Sequence, residues 1–197
     1  MRVIGLTGNI GSGKSTVSSI IESYNIKIID ADLISREVSE NIEVLNSIEK
    51  TFGKIVIDNN GSLNRSQLGE IVFSSDEELE KLNSIIHPYM KTRIKEYIIE
   101  YSKTERICIL DGAIIIEAGF GDLVEDIILV EASEDMCLQR VYERDGHSYG
   151  YIKNIIRKQI HLEKKKNFCK YIIRNDKGFE ELEKEVIRVL RALDMEA

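Results

Sequence analysis

A lysine and two hydroxyl residues directly after a glycine-rich loop are the first chemistry visible in this chain: Gly8-Asn9-Ile10-Gly11-Ser12-Gly13-Lys14-Ser15-Thr16. Glycine, four residues, then Gly-Lys-Ser is the P-loop spacing. The glycines let successive backbone N–H groups turn inward into an anion-binding concavity, and a following helix adds unpaired N–H groups and its positive dipole end. In that setting Lys14 reaches the β- and γ-phosphates of a nucleoside triphosphate, and the Ser15 hydroxyl ligates Mg²⁺. The flanking sequence agrees: an aliphatic run precedes the loop, and Val17, Ile20, Ile21 and Tyr24 follow at helical spacing.

Carboxylates come next. Asp30 and Asp32 follow a second aliphatic run, at the strand end where open α/β sheets bind ligands. Phosphoryl transfer to an alcohol needs a carboxylate that accepts the hydroxyl proton. The same two residues also suit a helix start at Ala31, with Asp30 as N-cap and Asp32 in the first turn. Both readings stand at this level. Asp111 ends a third aliphatic run, where P-loop proteins place an acid that supports magnesium, directly or through water; the plain alternative is a solvated strand end. Glu117 has no role that spacing reveals.

Positive charge is concentrated further on. Arg140 and Arg144 are four apart and share a helix face, where arginine can neutralise charge on a transferring phosphoryl group. Arg157, Lys158 and Lys164-Lys165-Lys166 extend the cluster. The lysine run is expected to be an ordinary solvated face paired with Glu143 and Glu163. His87, His147 and His161 show no metal-ligand spacing with the cysteines. Cys108, Cys137 and Cys169 make no disulfide framework, and Cys108 reads as a small buried hydrophobe.

The elements that must position these residues are legible as alternating runs. Val3–Leu6, Ile26–Ile29, Ile107–Leu110, Ile127–Val130 and Tyr171–Ile173 are nearly continuous in apolar residues, as strands covered on both faces should be. Helices are expected at Lys14–Ser23, Glu77–Ile86, Pro88–Ser102, Ser133–Arg144 and Phe179–Leu193. The expectation is an α/β P-loop kinase fold, a five-stranded parallel sheet flanked by helices. Residues 1–30, 106–143 and 171–197 form its nucleotide-binding core. Residues 31–105 read as a helical substrate-binding insertion, and 144–170 as a lid.

Bulk properties narrow the class. A net charge of −7 argues against broad nucleic-acid binding. No apolar run approaches the ~20 residues that cross a bilayer, and the N-terminus lacks the apolar core of a secretion signal. A soluble, cytoplasmic protein with no membrane partner is expected, a monomer by default.

The motifs, taken in order, resemble the dephospho-CoA kinase family over nearly the whole chain. Gly5-Leu6-Thr7 leading into the P-loop looks like that family's version of it. Asp30-Ala31-Asp32 with Arg36, then Arg65-Ser66-Gln67-Leu68 with Val72-Phe73, and Leu82 to His87-Pro88 are similar to its next motifs. Asp111 through Glu117-Ala118-Gly119, then Gln139-Arg140, Arg144, Gln159, Asn175 and Gly178, continue the match. The resemblance implies ATP-dependent phosphorylation of the ribose 3′-hydroxyl of dephospho-coenzyme A, the last step of coenzyme A synthesis. It implies Asp32 as general base, with Lys14 and Arg140 assisting transfer. ATP would be held by Gly8 to Thr16, Arg140 and Asn175. The acceptor would meet Asp32, Arg36, Arg65, His87 and Asp111, and Mg²⁺ would sit at Ser15 and Asp111.

Five positions depart from the family pattern: Ala113 where a proline is usual, Asn64 for an aspartate, Ile155 for an arginine, and Cys169-Lys170 for Ala-Asp. Two rival functions remain. Another small-molecule or nucleoside monophosphate kinase would share the core. A guanine-nucleotide switch would need DxxG after a core strand and NKxD. Here the DxxG is Asp58 to Gly61, which looks like a surface turn, and Asn175-Asp176-Lys177 is not NKxD.

Overall fold

The five aliphatic runs become strands β1 (Arg2–Gly8), β2 (Lys27–Asp30), β3 (Ile107–Asp111), β4 (Asp126–Glu131) and β5 (Tyr171–Arg174). The computed structural model describes residues 1–146, 149–158 and 162–195. Within it the strands form a sheet of order β2-β3-β1-β4-β5. β1 pairs in parallel with β3 on one side and β4 on the other, and β4 with β5. The connection leaving β1 runs toward the β2 edge, whereas those leaving β3 and β4 run toward β5. Loops that part in this way leave a crevice at the carboxyl ends of the central strands. The P-loop follows β1 and Asp111 ends β3, so both open at that edge.

Helices α1 (Lys14–Ser23) and α9 (Phe179–Met195) cover one face of the sheet. Their Val17, Ile21, Leu182 and Val186 pack with Ile4, Leu6, Ile109, Ile128 and Ile173 in one buried cluster. A second cluster joins Leu138 and Val141 of α6 (Glu134–Asp145) to Ile152 of α7 (Tyr149–Lys158), with Ile10 of the P-loop against it. The short α8 (Leu162–Lys166) leads into β5.

The chain divides into two compact units, Met1–Ile29 with Glu100–Ala197, and Asp30–Ile99. The second contains α2 (Ala31–Ser39), α3 (Ile42–Phe52), α4 (Arg65–Ser74) and most of α5 (Asp76–Tyr101). Asp30 caps α2, accepting from the N–H groups of Asp32 at 2.8 Å and Leu33 at 2.9 Å. Asn64 caps α4 by accepting from Gln67 N–H at 3.1 Å, so at this departure asparagine performs a cap that aspartate would also perform. Asp58 to Gly61 forms the surface turn expected of it, below a bridge of Ile57 to Leu63.

One boundary differs from the sequence reading. The two helices expected on either side of His87-Pro88 are a single helix, α5, with Pro88 inside it. Proline deletes a backbone donor and crowds the preceding turn. Ile86, Met90 and Ile94 nevertheless recur every four residues across it and are all buried, and burying that stripe outweighs the local penalty.

Candidate active site

The P-loop is built by backbone geometry that side chains would obstruct. Gly13 has φ 87° and ψ 22°, a left-handed conformation that favours glycine, and a Cβ there would lie 2.1 Å from Asn175 Nδ2. Gly11, at φ 79°, would put a Cβ 2.5 Å from the Cys137 carbonyl oxygen. The loop is then tied down by residues beyond β4 and β5. Asn175 Nδ2 donates to the Ser12 carbonyl at 2.8 Å, and the Asn175 N–H donates to the Glu131 carbonyl at 2.8 Å. Arg140 Nη2 donates to the Asn175 carbonyl at 2.9 Å, and its Nη1 lies 3.5 Å from the carbonyls of Gly11 and Ser12. Arg140 and Asn175, far apart in sequence, therefore brace one loop. Two polar atoms of that loop, Asn9 Oδ1 and Ser12 Oγ, are buried with no partner. Buried polar atoms are nearly always satisfied; of these two, the hydroxyl can donate or accept and the amide oxygen only accepts.

Lys14 Nζ lies 2.5 Å from Asp111 Oδ1, with side chains only 15% and 8% exposed. The β1–β3 pairing sets this contact, because Leu6 stands opposite Asp111 in register. Ser15 is exposed in the first turn of α1. Among the described residues no group of three His, Cys, Asp or Glu is placed to hold a metal. Ser15 and Asp111 fit Mg²⁺ instead, since that ion is commonly held by one or two protein oxygens together with waters and phosphate oxygens.

Other expectations fare differently. Arg144 does not join Arg140 at the loop: it is exposed and forks onto neighbouring Asp145 at 2.8 and 2.7 Å. Ile10 turns its side chain into the α6–α7 cluster, leaving its backbone for the loop. Lys170 pairs with Asp126 at 3.3 Å. Gln159, His147 and His161 lie outside the described residues.

The lysine run is a solvated face only in part: Lys164 is exposed and Lys166 pairs with Glu163 as expected, but Lys165 departs from it. Lys165 is fully buried (0% side-chain exposure) and donates to the Ala113 carbonyl and to Glu117 Oε1, each at 2.9 Å. Lys166 bridges Glu131 and Glu163 at 2.9 Å. Nothing in the run Glu-Lys-Lys-Lys marks the middle lysine for burial, and α8 is too short to show a period. Glu117, without a role in the sequence, is its counter-ion.

In the helical unit, Asp32 and Arg36 are exposed, one turn apart on α2. Arg65 Nη2 donates to the Arg36 carbonyl at 3.3 Å and lies 3.6 Å from Glu40. His87 is half-buried in α5, and that burial lowers its pKa from 6.5. The three thiols are pushed up to about 11 by burial, which leaves them protonated and unreactive at neutral pH.

Residues 2–181 match the dephospho-CoA kinase family profile. The chain belongs to that family. It is 38% identical to a dephospho-CoA kinase of Fusobacterium nucleatum over 94% of this chain and 95% of that one. The Campylobacter jejuni dephospho-CoA kinase structure superposes with a TM-score of 0.73 at 25% identity, covering 98% of each chain. A Thermus thermophilus crystal structure matches with a TM-score of 0.86 at 28% identity, over 97% of this chain and 96% of that one. Family membership favours the dephospho-CoA reading over the rival kinases and the switch.

Proposed function

We propose that this chain transfers the γ-phosphoryl group of ATP to the ribose 3′-hydroxyl of dephospho-coenzyme A, giving coenzyme A and ADP. The family match across residues 2–181 carries the choice of acceptor; the braced P-loop with its Lys14–Asp111 pair supports the donor side.

The residues divide the labour between donor and acceptor. Backbone N–H groups from Gly8 to Thr16 bind the phosphates, with the unpartnered Ser12 hydroxyl as a further donor. Lys14 moves its ammonium from Asp111 to the β- and γ-phosphates, which leaves the Asp111 carboxylate to face the metal side. Ser15 and Asp111 would hold Mg²⁺, which would supply charge neutralisation for the phosphate oxygens. Arg140 stabilises charge developing on the transferring group.

On the acceptor side, Asp32 takes the proton of the attacking 3′-hydroxyl. Asp30 carries the helix cap, so the exposed Asp32 carboxylate is not committed to that task. Arg36, Arg65 and His87 bind the acceptor within a helical region spanning 31–105. Residues 144–170 act as a lid whose closure excludes water, which suppresses hydrolysis of ATP. The protein works as a cytoplasmic monomer with no nucleic-acid or membrane partner.

The test is ADP release from ATP with dephospho-coenzyme A, against adenosine and nucleoside monophosphates as controls. Release with dephospho-coenzyme A alone supports the reading. Equal or faster release with a nucleoside monophosphate would replace it with the nucleotide-kinase alternative.

A further inference from the structure

Lys165 is a full positive charge inside the sheet unit, and nothing in the proposed chemistry uses it. An ammonium is buried only where partners replace its hydration. Its partners are informative because they lie around the reacting edge of the sheet. The Ala113 carbonyl receives two donors, Lys165 Nζ at 2.9 Å and the buried Thr7 hydroxyl at 3.0 Å. Ala113 is two residues beyond Asp111, and Thr7 is the residue before Gly8, where the P-loop begins. Between them Gly112 N–H donates to the Leu6 carbonyl at 3.0 Å. Glu117, at the far end of the same loop, neutralises the ammonium at 2.9 Å. The exit of β3 is thus fastened to the exit of β1 and to α8.

We infer that Lys165 is a positioning residue for the magnesium-side acid: with Thr7 it holds the Ala113 carbonyl, and so fixes Asp111 relative to the P-loop. The reason is geometric. The side chain of Ala113 has no ring that would restrict its φ, and two hydrogen bonds to its carbonyl hold the loop. Asp111 is two peptide units from that anchor, and small rotations there would displace its carboxylate from Lys14 and from a metal at Ser15. Outer partners that orient a metal-side ligand typically matter by roughly 10- to 100-fold in metal affinity or activity.

The inference rests on the ATP-and-magnesium reading of the site, and the experiment separates the two. Nucleotide binding is measured by calorimetry with ATP over a Mg²⁺ series, without acceptor, on the wild type, Thr7→Val, Lys165→Met and Lys165→Met with Glu117→Leu. Melting temperatures are recorded in parallel. Thr7→Val keeps the side-chain volume, and the double variant removes both charges together, so neither leaves a buried ion unpaired. The expected result is a Mg²⁺ requirement raised by about tenfold or more in the double variant and by less in Thr7→Val, with the melting temperature of the double variant near wild type. A double variant that recovers both the melting temperature and the wild-type Mg²⁺ requirement would show a purely structural ion pair and overturn the inference. Thr7→Val with an unchanged Mg²⁺ requirement would overturn it as well, whether or not the Lys165 variants fold. Failure of the wild type to bind ATP would instead remove the functional reading.

Discussion

The surroundings of the P-loop and the helical unit treat charge in opposite ways. Around the P-loop, Lys14 and Asp111 meet at 2.5 Å with little exposure, Lys165 is wholly enclosed, and Asn175 is buried against a loop carbonyl. In the helical unit, Arg65 and Glu40 stand 3.6 Å apart with side chains 47% and 75% exposed. Low-dielectric surroundings strengthen the first set and water screens the second. Under the proposed function, the difference means that the donor side is assembled in advance of its ligand, whereas the acceptor side presents solvated groups whose contribution comes with the acceptor.

Four variants would break or sharpen that contrast. Asp32→Asn carries the largest expected effect. It should retain ATP binding while turnover falls by about 10²–10⁴-fold; near-normal turnover in a coupled ADP assay would remove Asp32 from the chemistry. Lys14→Ala follows, with transfer reduced by roughly 10²–10³-fold and nucleotide affinity weakened in a titration. An unchanged affinity would show that the Lys14–Asp111 pair is internal bracing alone.

Asn175→Ala probes the preassembled side without touching the acceptor. It removes the Nδ2 donor to the Ser12 carbonyl, while Arg140 keeps the backbone carbonyl of residue 175, and urea denaturation should show a loss of about 1–3 kcal/mol. Arg65→Ala is the matched change on the solvated side: stability should shift by less than about 1 kcal/mol, while KM for dephospho-coenzyme A rises and KM for ATP does not. Equal stability losses in these two variants would erase the contrast.

The smallest effect is a pH dependence. Burial holds His87 below its ordinary 6.5, so the unfolded chain takes up this proton first. Its contribution to stability is therefore complete above 6.5 and declines as pH falls below that value, until the folded form is protonated too. Denaturation at stepped pH should show a shallower decline in His87→Gln; an identical slope would reject this origin.

Much of the sheet unit was legible because its signals are local. Continuous apolar runs mark strands covered on both faces, and the glycine-lysine-serine spacing marks the turn between β1 and α1. The helical unit was less legible where burial overrode a local rule, as at Pro88 inside α5. Arg144 illustrates another limit: helical spacing put it on the face of Arg140, but neighbouring Asp145 captures it.

The sequence by itself determined the phosphate loop, the strand ends bearing Asp111 and Asp30, and the order of motifs that places the chain in its family. These depend on nearest neighbours along the chain or on ordered spacing. Only the tertiary structure decided that Arg140 and Asn175 brace the loop, that Lys14 meets Asp111, and that the middle lysine of three is the buried one. Each of those contacts joins residues more than thirty positions apart. Parallel pairing brings such residues to one edge of the sheet, and burial then selects which of several like charges must find a partner.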